Sequence, residues 1–106
     1  LYEPLHPAVL RSLKMVVDAA HAAGIDACMC GEMAGEAEYL PILLGLGFDE
    51  LSMNSISIPR VKRILRRCSL AEAEQLLMKA LKFTTAAEID AFLKSEITAH
   101  YADSFD

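Results

Sequence analysis

The sequence predicts an α/β fold, and three observations support this prediction. Short apolar runs that end in turn residues alternate with segments of helical periodicity. The two apolar runs, residues 25–30 and 51–54, are separated by a length of chain that fits one βαβ unit with a right-handed crossover. Two parallel strands cannot bury both faces alone, and too many helices accompany them. We therefore expect this chain to be the last part of a larger α/β domain.

Composition excludes several classes of protein. The chain has 106 residues, of which 54% are hydrophobic, and a formal net charge of −5, as is usual for one soluble globular domain. An acidic chain is a poor nucleic-acid binder, and no apolar run is long enough to insert into a membrane. Three cysteines without a secretory signal predict reduced thiols and a cytoplasmic location. Because the chain starts without methionine, we expect a fragment.

The first predicted helix opens at His6-Pro7, because proline is favoured in a first turn, and ends at Gly24 in a left-handed cap. His6 is expected to be a loop or cap residue. His21 lies late in the helix, where a cation suits the helix dipole. One apolar stripe at helical spacing is predicted to face the core: Leu10, Leu13, Val16, Val17 and Ala20.

The next stretch, residues 25–35, is the one around which the chain is organised. We predict a buried strand over residues 25–30 that delivers Cys30 to its carboxyl end, and a tight loop that begins at Gly31. Chemistry in parallel α/β folds is done at the carboxyl ends of strands, and Gly31 would leave room for a ligand. A cysteine in an apolar strand is more often core than catalytic, so both roles remain open here.

Cys28 and Cys30 share a face of the predicted strand, because they lie two residues apart. A disulfide between such close neighbours would be strained. A metal site would need two further ligands, and no paired Cys or His cluster lies nearby in the sequence. We therefore predict neither a disulfide nor a metal site at these residues.

The following segments complete the βαβ unit. A helix is predicted over residues 36–44, in which Pro41 is tolerable only if the helix starts late, and Gly45 and Gly47 are expected to close it. The second strand, residues 51–54, should bring Asn54 beside Cys30 at one edge of the sheet.

Three helices are predicted after the second strand. The first covers residues 58–68, with Ser57 as its cap and Pro59 in its first turn. Two capping boxes, Ser69 to Glu72 and Thr85 to Glu88, open helices that should end near residues 82 and 99. Their core-facing residues are expected to be Leu76, Leu77, Ala80 and Leu81 in one, and Ile89, Phe92, Leu93 and Ile97 in the other.

Three ordered stretches carry a resemblance to a known family. They read LYEPLHPAVL at residues 1–10, MCGEMAG at 29–35 followed by LLGLG at 43–47, and DELSMNSISIPR at 49–60. Together they resemble the C-terminal end of enzyme I of the bacterial phosphotransferase system, the phosphoenolpyruvate–protein phosphotransferases. The match is close over roughly residues 1–68, whereas the last two helices match in character more than in sequence.

The resemblance implies that this chain is the C-terminal fragment of a (β/α)8 TIM barrel that binds phosphoenolpyruvate (PEP). A complete barrel takes about 250 residues. This chain would supply the last two parallel strands with their flanking helices, followed by two amphipathic helices. We expect βα units over residues 1–68, closing helices over 69–99 and a polar tail over 100–106.

The resemblance also implies a reaction. In the family, PEP phosphorylates a histidine on a separate N-terminal domain, which passes the phosphoryl group to the carrier protein HPr for sugar uptake. The cysteine of the Met-Cys-Gly-Glu motif, here Cys30, protonates the enolate that remains and so yields pyruvate. Gly31 would leave space for the substrate, whereas Glu32 is given no catalytic role. Cys28 stands where the family commonly has a small residue, and we expect it to pack inside the barrel.

Other family features fall outside this chain. The ligands of the family's Mg²⁺ lie on earlier strands, so no metal ligand is assigned here, and we expect the isolated chain to be inactive. The family forms a homodimer through this barrel. A basic group is expected to be the solvated face of a helix rather than a phosphate site: Arg60, Lys62, Arg63, Arg66 and Arg67.

Two further hypotheses are kept beside the enzyme I assignment. A fragment of pyruvate phosphate dikinase or PEP synthase would share the Cys-Gly-Glu motif but differ in the residues that follow it. A non-catalytic dimerisation module would use exposed apolar helix faces for self-association.

Overall fold

The computed structural model describes residues 5–30, Ala34 and residues 37–101. Within this part of the chain, helices and strands follow the predicted order. The helices are α1 (Pro7–Ala22), α2 (Leu40–Leu46), α3 (Ile58–Leu65), α4 (Leu70–Ala80) and α5 (Ala86–Tyr101), and a 3-10 turn (Ala37–Tyr39) precedes α2. The strands are β1 (Cys28–Cys30) and β2 (Glu50–Ser52). The predicted α/β class is thus confirmed.

Helix α1 starts at the predicted place. The His6 ring Nδ1 accepts a hydrogen bond of 3.1 Å from a backbone N–H two residues later, and Pro7 lies in the first turn. The predicted stripe is confirmed at its buried or half-buried members, Leu10, Leu13, Val17 and Ala20. It is wrong at Val16, whose side chain is 60% exposed. Val16 points about 100° around the helix from Val17, away from the core.

Helix α1 ends in the predicted left-handed turn. Gly24 has φ = 74°, a conformation that glycine adopts without steric cost. The Gly24 N–H donates to the His21 carbonyl, and the Ile25 N–H donates to the Ala20 carbonyl, both at 3.0 Å. This pair of bonds is a Schellman motif, which satisfies carbonyls left open at a helix end and turns the chain towards β1.

Strands β1 and β2 are parallel, as predicted, but each has only three residues. The register aligns Cys28 with Glu50, Met29 with Leu51 and Cys30 with Ser52. The predicted neighbour of Cys30 was Asn54, and that prediction is wrong. Asn54 lies beyond the strand because its Oδ1 accepts hydrogen bonds from the N–H and Oγ of Ser57, which closes a turn.

The prediction that β1 is buried is also wrong. Met29 and Leu51 pack against the helical core, whereas the opposite face of the sheet is exposed. Side chains alternate along a strand, so the open face carries Cys28, Cys30, Glu50 and Ser52. Neither Cys28 nor Cys30 is a core residue in this structure, and the packing of Cys28 inside a complete barrel stays a prediction.

Helix α2 begins at Leu40, which places Pro41 in the first turn, as its presence required. Gly47 ends the helix with φ = 97°, as predicted. Gly45 was expected to close the helix too, but it lies inside α2 and is buried. A Cβ atom at Gly45 would meet the backbone carbonyl of Ala73 in α4. Glycine is therefore needed there for α2 and α4 to pack closely.

Helix α3 carries Pro59 in its first turn, as predicted, but ends at Leu65 and not at Cys68. Ser57 precedes the helix without the predicted side-chain cap, since Asn54 accepts its hydrogen bonds instead. The basic residues of α3 and the turn after it are all exposed, which confirms a solvated face: Arg60, Lys62, Arg63, Arg66 and Arg67.

Both predicted capping residues close the starts of the last helices. Ser69 Oγ accepts from the Glu72 N–H at 3.1 Å, and Thr85 Oγ1 accepts from the Glu88 N–H at 3.2 Å. The Thr85 hydroxyl also donates to the Glu88 carboxylate at 3.0 Å. The hydrogen bond from the Thr85 hydroxyl first, and next that from the Thr84 hydroxyl, lowers the pKa of Glu88 below its ordinary value.

The boundaries of the last helices shift slightly from the prediction. Helix α4 ends two residues early, at Ala80, and α5 continues to Tyr101. The predicted tail therefore begins inside α5, and residues 102–106 lie outside the described residues. All eight predicted core-facing residues of α4 and α5 are confirmed as buried or half-buried.

The helices enclose two apolar clusters on one side of the sheet. The larger joins α1, α2, α4 and α5 through Leu5, Leu10, Ile42, Leu43, Leu46, Leu77, Ala80, Ile89 and Leu93. The smaller joins α2, α3 and α5 through Leu40, Val61, Ile64 and Ile97. The described chain is thus a parallel pair of strands with helices on one face and an open second face.

Candidate active site at the ends of the strands

Cys30 is the last residue of β1, and its side chain is exposed. Its position at the carboxyl end of a parallel strand is the one predicted for a catalytic residue. The loop that follows, with Gly31 and Glu32, lies outside the described residues. The predicted substrate contact at Gly31 therefore stays a prediction.

Ser52 is the neighbour of Cys30 across the sheet. It ends β2, is aligned with Cys30 in the parallel register, and is exposed on the same face. Ser52 was not among the predicted site residues, because the second strand was predicted to extend to Asn54. The apolar–polar alternation of Leu51, Ser52 and Met53 was the pattern that could have identified it, since only Ser52 of the three points away from the core.

Cys28 lies at the opposite, amino end of the open face. Its Sγ donates a hydrogen bond of 3.4 Å to Oε2 of Glu50, the residue aligned with it on β2. This hydrogen bond, followed by partial desolvation and the negative charges of Glu50, Asp26 and Asp49, raises the pKa of the Cys28 thiol. The thiolate of Cys28 is thus disfavoured, and this cysteine is poorly suited to proton release.

A polar brace ties α1 to the amino ends of both strands. Asp49 Oδ2 accepts hydrogen bonds from the Ala27 N–H and from His21 Nε2, both at 2.8 Å, and the Asp49 N–H donates to the Ala27 carbonyl at 2.9 Å. The bond from Ala27, and next that from His21, lowers the pKa of Asp49. The brace lies at the amino ends of the strands, whereas Cys30 lies at the carboxyl end of β1, so the role of the brace is structural.

Sequence spacing did not reveal this brace. His21 was placed correctly near the end of its helix, but its partner lies 28 residues along the chain. Such a pair forms only when α1 and the turn before β2 are brought together. The available pattern was a pair of acidic residues, Asp49 and Glu50, before the second predicted strand, and this pattern by itself names no partner for Asp49.

None of the helices in the described ranges has the length and apolar character needed to cross a membrane. Within the same ranges, no group of three or more His, Cys, Asp and Glu side chains is arranged to hold a metal ion. None of the three cysteines, all of which are described, forms a disulfide.

A family model described as "PEP-utilising enzyme, PEP-binding domain" matches residues 1–70, which include both strands and Cys30. The chain belongs to this family.

Several individual proteins are also similar to this chain, and their names are those of phosphotransferases. The chain is 47% identical over 94 residues to phosphoenolpyruvate-protein phosphotransferase of Haemophilus influenzae, which covers 89% of the chain and 16% of that relative. The enzyme of the same name from Bacillus subtilis is 46% identical with the same coverage. A multiphosphoryl transfer protein of Escherichia coli is 47% identical over 93 residues, which cover 88% of this chain and 11% of the length of that relative. The chain thus spans about a sixth or less of these relatives.

Proposed function

We propose that this chain is the C-terminal part of the PEP-binding barrel of a phosphoenolpyruvate–protein phosphotransferase, the enzyme I of a bacterial phosphotransferase system. The observation that carries the proposal is the identity of 44–47% to phosphotransferases of that name. The match spans most of the chain and includes an exposed cysteine at a strand end.

The one-sided sheet supports a barrel origin for these strands. Parallel sheets are almost always covered on both faces, yet here one face is open. In a (β/α)8 barrel, helices cover the outer face and the strands themselves enclose the inner one. The residues of β2 also border a hollow of mixed lining that has room for a further strand. Its apolar residues include Phe48, Leu51, Met53, Ile58, Val61 and Leu65, and its polar residues are Asp49, Glu50, Ser52 and Lys62. We infer that β1 and β2 are the last two barrel strands.

The division of the chain follows from the same inference. Residues 1–68 would be βα units, residues 69–99 closing helices and residues 100–106 a tail, although α5 already includes the first two tail residues. A barrel that completes itself with upstream strands would cover the exposed face and both open edges.

Cys30 is proposed as the general acid of the reaction. When the phosphoryl group leaves PEP, the P–O bond breaks and its electron pair stays on the enolate oxygen. The enolate then forms a C–H bond at its terminal carbon with the Cys30 proton, the S–H bond breaks, and a thiolate and pyruvate result. Thiols are among the side chains that serve as general acids, because they can hold a proton and release it to a stronger base such as the enolate carbon.

The resemblance implies that the complete enzyme binds Mg²⁺, which would offset the negative charge of the phosphoryl group. The described residues do not fit this ion, because they contain no cluster of metal-ligating side chains. Its ligands are therefore proposed to lie on upstream strands. The 106-residue chain by itself is predicted to be inactive.

The partners of the complete protein follow from the same assignment. PEP would be the phosphoryl donor and pyruvate the product, HPr would accept the phosphoryl group from a histidine on a separate domain, and the enzyme would act as a cytoplasmic homodimer. The alternative function, that of a pyruvate phosphate dikinase or PEP synthase, is less well supported, because similar proteins are named phosphoenolpyruvate-protein phosphotransferases.

The proposal is tested by Cys30→Ala in the complete enzyme. We expect PEP-dependent pyruvate release to fall by about 100-fold or more, the usual contribution of general acid–base catalysis, with an unchanged melting temperature. Cys28→Ala is the matched control, because it removes a thiol from the same face of the same strand, and it should keep most of the activity. Unimpaired pyruvate release by Cys30→Ala would show that Cys30 is not the acid.

A further inference from the structure

The parallel register gives the two exposed thiols of β1 different neighbours. Cys28 is aligned with the carboxylate of Glu50, and Cys30 is aligned with the hydroxyl of Ser52. A carboxylate opposes a thiolate through like charge, whereas a hydroxyl can donate a hydrogen bond to it. The sheet therefore places two chemically identical side chains beside groups of different chemistry.

We propose that Ser52 is a positioning residue whose hydroxyl donates a hydrogen bond to the Cys30 sulfur and stabilises the thiolate formed when Cys30 protonates the enolate. This proposal rests on the function proposed above, and it goes further by adding a residue from the neighbouring strand to that site. Ser52 acts through Cys30 and needs no contact with the substrate.

The geometry allows this contact without movement of the backbone. Adjacent strands lie about 4.8 Å apart, and aligned residues of a parallel pair place their side chains on the same face. Cys30 and Ser52 are aligned, both end their strands, and both are exposed. Exposed side chains change rotamer within picoseconds to nanoseconds, so the hydroxyl can turn towards the sulfur as charge develops there.

The neighbouring pair shows that this register brings side chains into contact. Cys28 Sγ and Glu50 Oε2 are 3.4 Å apart across the same two strands, one alternation earlier. Glu50 is the charged group of β2 on this face, and it is aligned with Cys28 and not with Cys30. On the β1 side, Asp26 precedes the strand and Glu32 belongs to the loop outside the described residues.

The chemistry explains why a hydroxyl suits this position. As the proton leaves Cys30 for the enolate carbon, negative charge develops on the sulfur. A hydrogen bond donated to the sulfur is stronger when the sulfur is charged than when it is neutral, so it favours proton transfer. A carboxylate in the place of Ser52 would disfavour the same step. The thiolate later regains a proton from water, which completes the cycle without an oxidant or reductant.

The test measures the thiol directly and then the reaction. In the complete enzyme, the rate of Cys30 alkylation by iodoacetamide is followed against pH, with the Cys30 peptide quantified by mass spectrometry. For Ser52→Ala we expect the alkylation profile to shift to higher pH by about 0.7 unit, because one hydrogen bond to the thiolate is lost. Near neutral pH this shift corresponds to about fivefold less Cys30 thiolate. The kcat for pyruvate release should fall by a similar factor, with KM unchanged.

Two variants serve as controls. Ser52→Thr keeps the hydroxyl and should keep both the profile and kcat within about twofold, and Ser55→Ala removes an exposed serine outside the strand and should change neither. An unchanged profile in Ser52→Ala overturns the proposal, and so does a shifted profile with unchanged kcat. Pyruvate release that survives Cys30→Ala would instead reject the proposed function, so the two failures are distinguishable.

Discussion

At the scale of single residues, position along the strand separates groups that look alike in sequence. Cys28 and Cys30 share a strand and a face, but only Cys30 lies at the carboxyl end and away from Glu50. Asp49 and Glu50 are adjacent acids with different roles as well. Asp49 braces the amino ends of the strands, whereas Glu50 faces a thiol on the open side.

The brace makes stability depend on pH through Asp49. Its pKa is lowered in the folded state, so its contribution is present above the unfolded pKa of about 3.9 and is lost as the pH falls through the folded value. Asp49→Asn should therefore lower the melting temperature at pH 7, and its difference from the wild type should shrink below about pH 4. Thermal unfolding followed by circular dichroism across this range measures both effects.

The control for this prediction is Asp18→Asn. It breaks an exposed pair with Lys14 (2.9 Å, four residues apart on α1), and exposed pairs of this kind contribute little. Its melting temperature should stay close to that of the wild type. Equal melting temperatures for Asp49→Asn and the wild type at pH 7 would contradict the brace.

At the scale of elements, the close approach of α2 and α4 organises the core. Gly45, near the end of α2, lets the backbone of α4 come within contact distance at Ala73, and large apolar side chains pack on either side. Glycine in a helix interior normally costs about 0.5–1 kcal/mol relative to alanine. Here the tight packing offsets that cost.

Gly45→Ala reverses the usual effect of a glycine-to-alanine change in a helix. The new Cβ would collide with the Ala73 carbonyl, which is backbone and cannot rotate away, so α2 and α4 must separate. We expect a loss of about 1–3 kcal/mol in the free energy of unfolding, measured by urea titration. Ala71→Gly on the exposed side of α4 calibrates the pure backbone effect at about 0.5–1 kcal/mol. A Gly45→Ala variant more stable than the wild type would refute the contact.

At the scale of the whole molecule, the described chain leaves apolar and polar surface uncovered. One face of its sheet and both sheet edges are open, and several large apolar side chains are exposed, among them Val9, Met15, Val16, Ile25 and Ile56. Open strand edges and apolar patches promote association. The exposed edges and apolar side chains of this chain therefore favour packing against further strands or protein surfaces.

The isolated chain is accordingly expected to self-associate. Light scattering with intact mass spectrometry should give a dimer or a larger assembly instead of the 11.6 kDa monomer. A variant with Val16→Lys, which places a charge on the exposed side of α1, should associate less if that helix face takes part. A stable monomer of the unmodified chain at high concentration would contradict the incomplete-barrel proposal.

Local features were predictable to different degrees. The caps at His6, Ser69 and Thr85, the left-handed Gly24 and the helix end at Gly47 were predicted correctly, because each depends on contacts within a few residues. Strand lengths, the burial of β1 and the role of Gly45 were predicted wrongly. Those depend on which segments lie beside them, and neighbours that are distant in sequence leave no periodic pattern.

The sequence by itself determined the α/β class, the order of the elements, the parallel pairing and the position of Cys30 at a strand end. These follow from hydrophobic periodicity and turn residues, which act over short stretches of chain. Only the tertiary structure decided that Cys30 faces Ser52, that Cys28 faces Glu50, and that Asp49 joins His21 to Ala27. The physical reason is that a register shift of one residue exchanges every side chain between the two faces of a sheet, and packing of the whole chain selects the register.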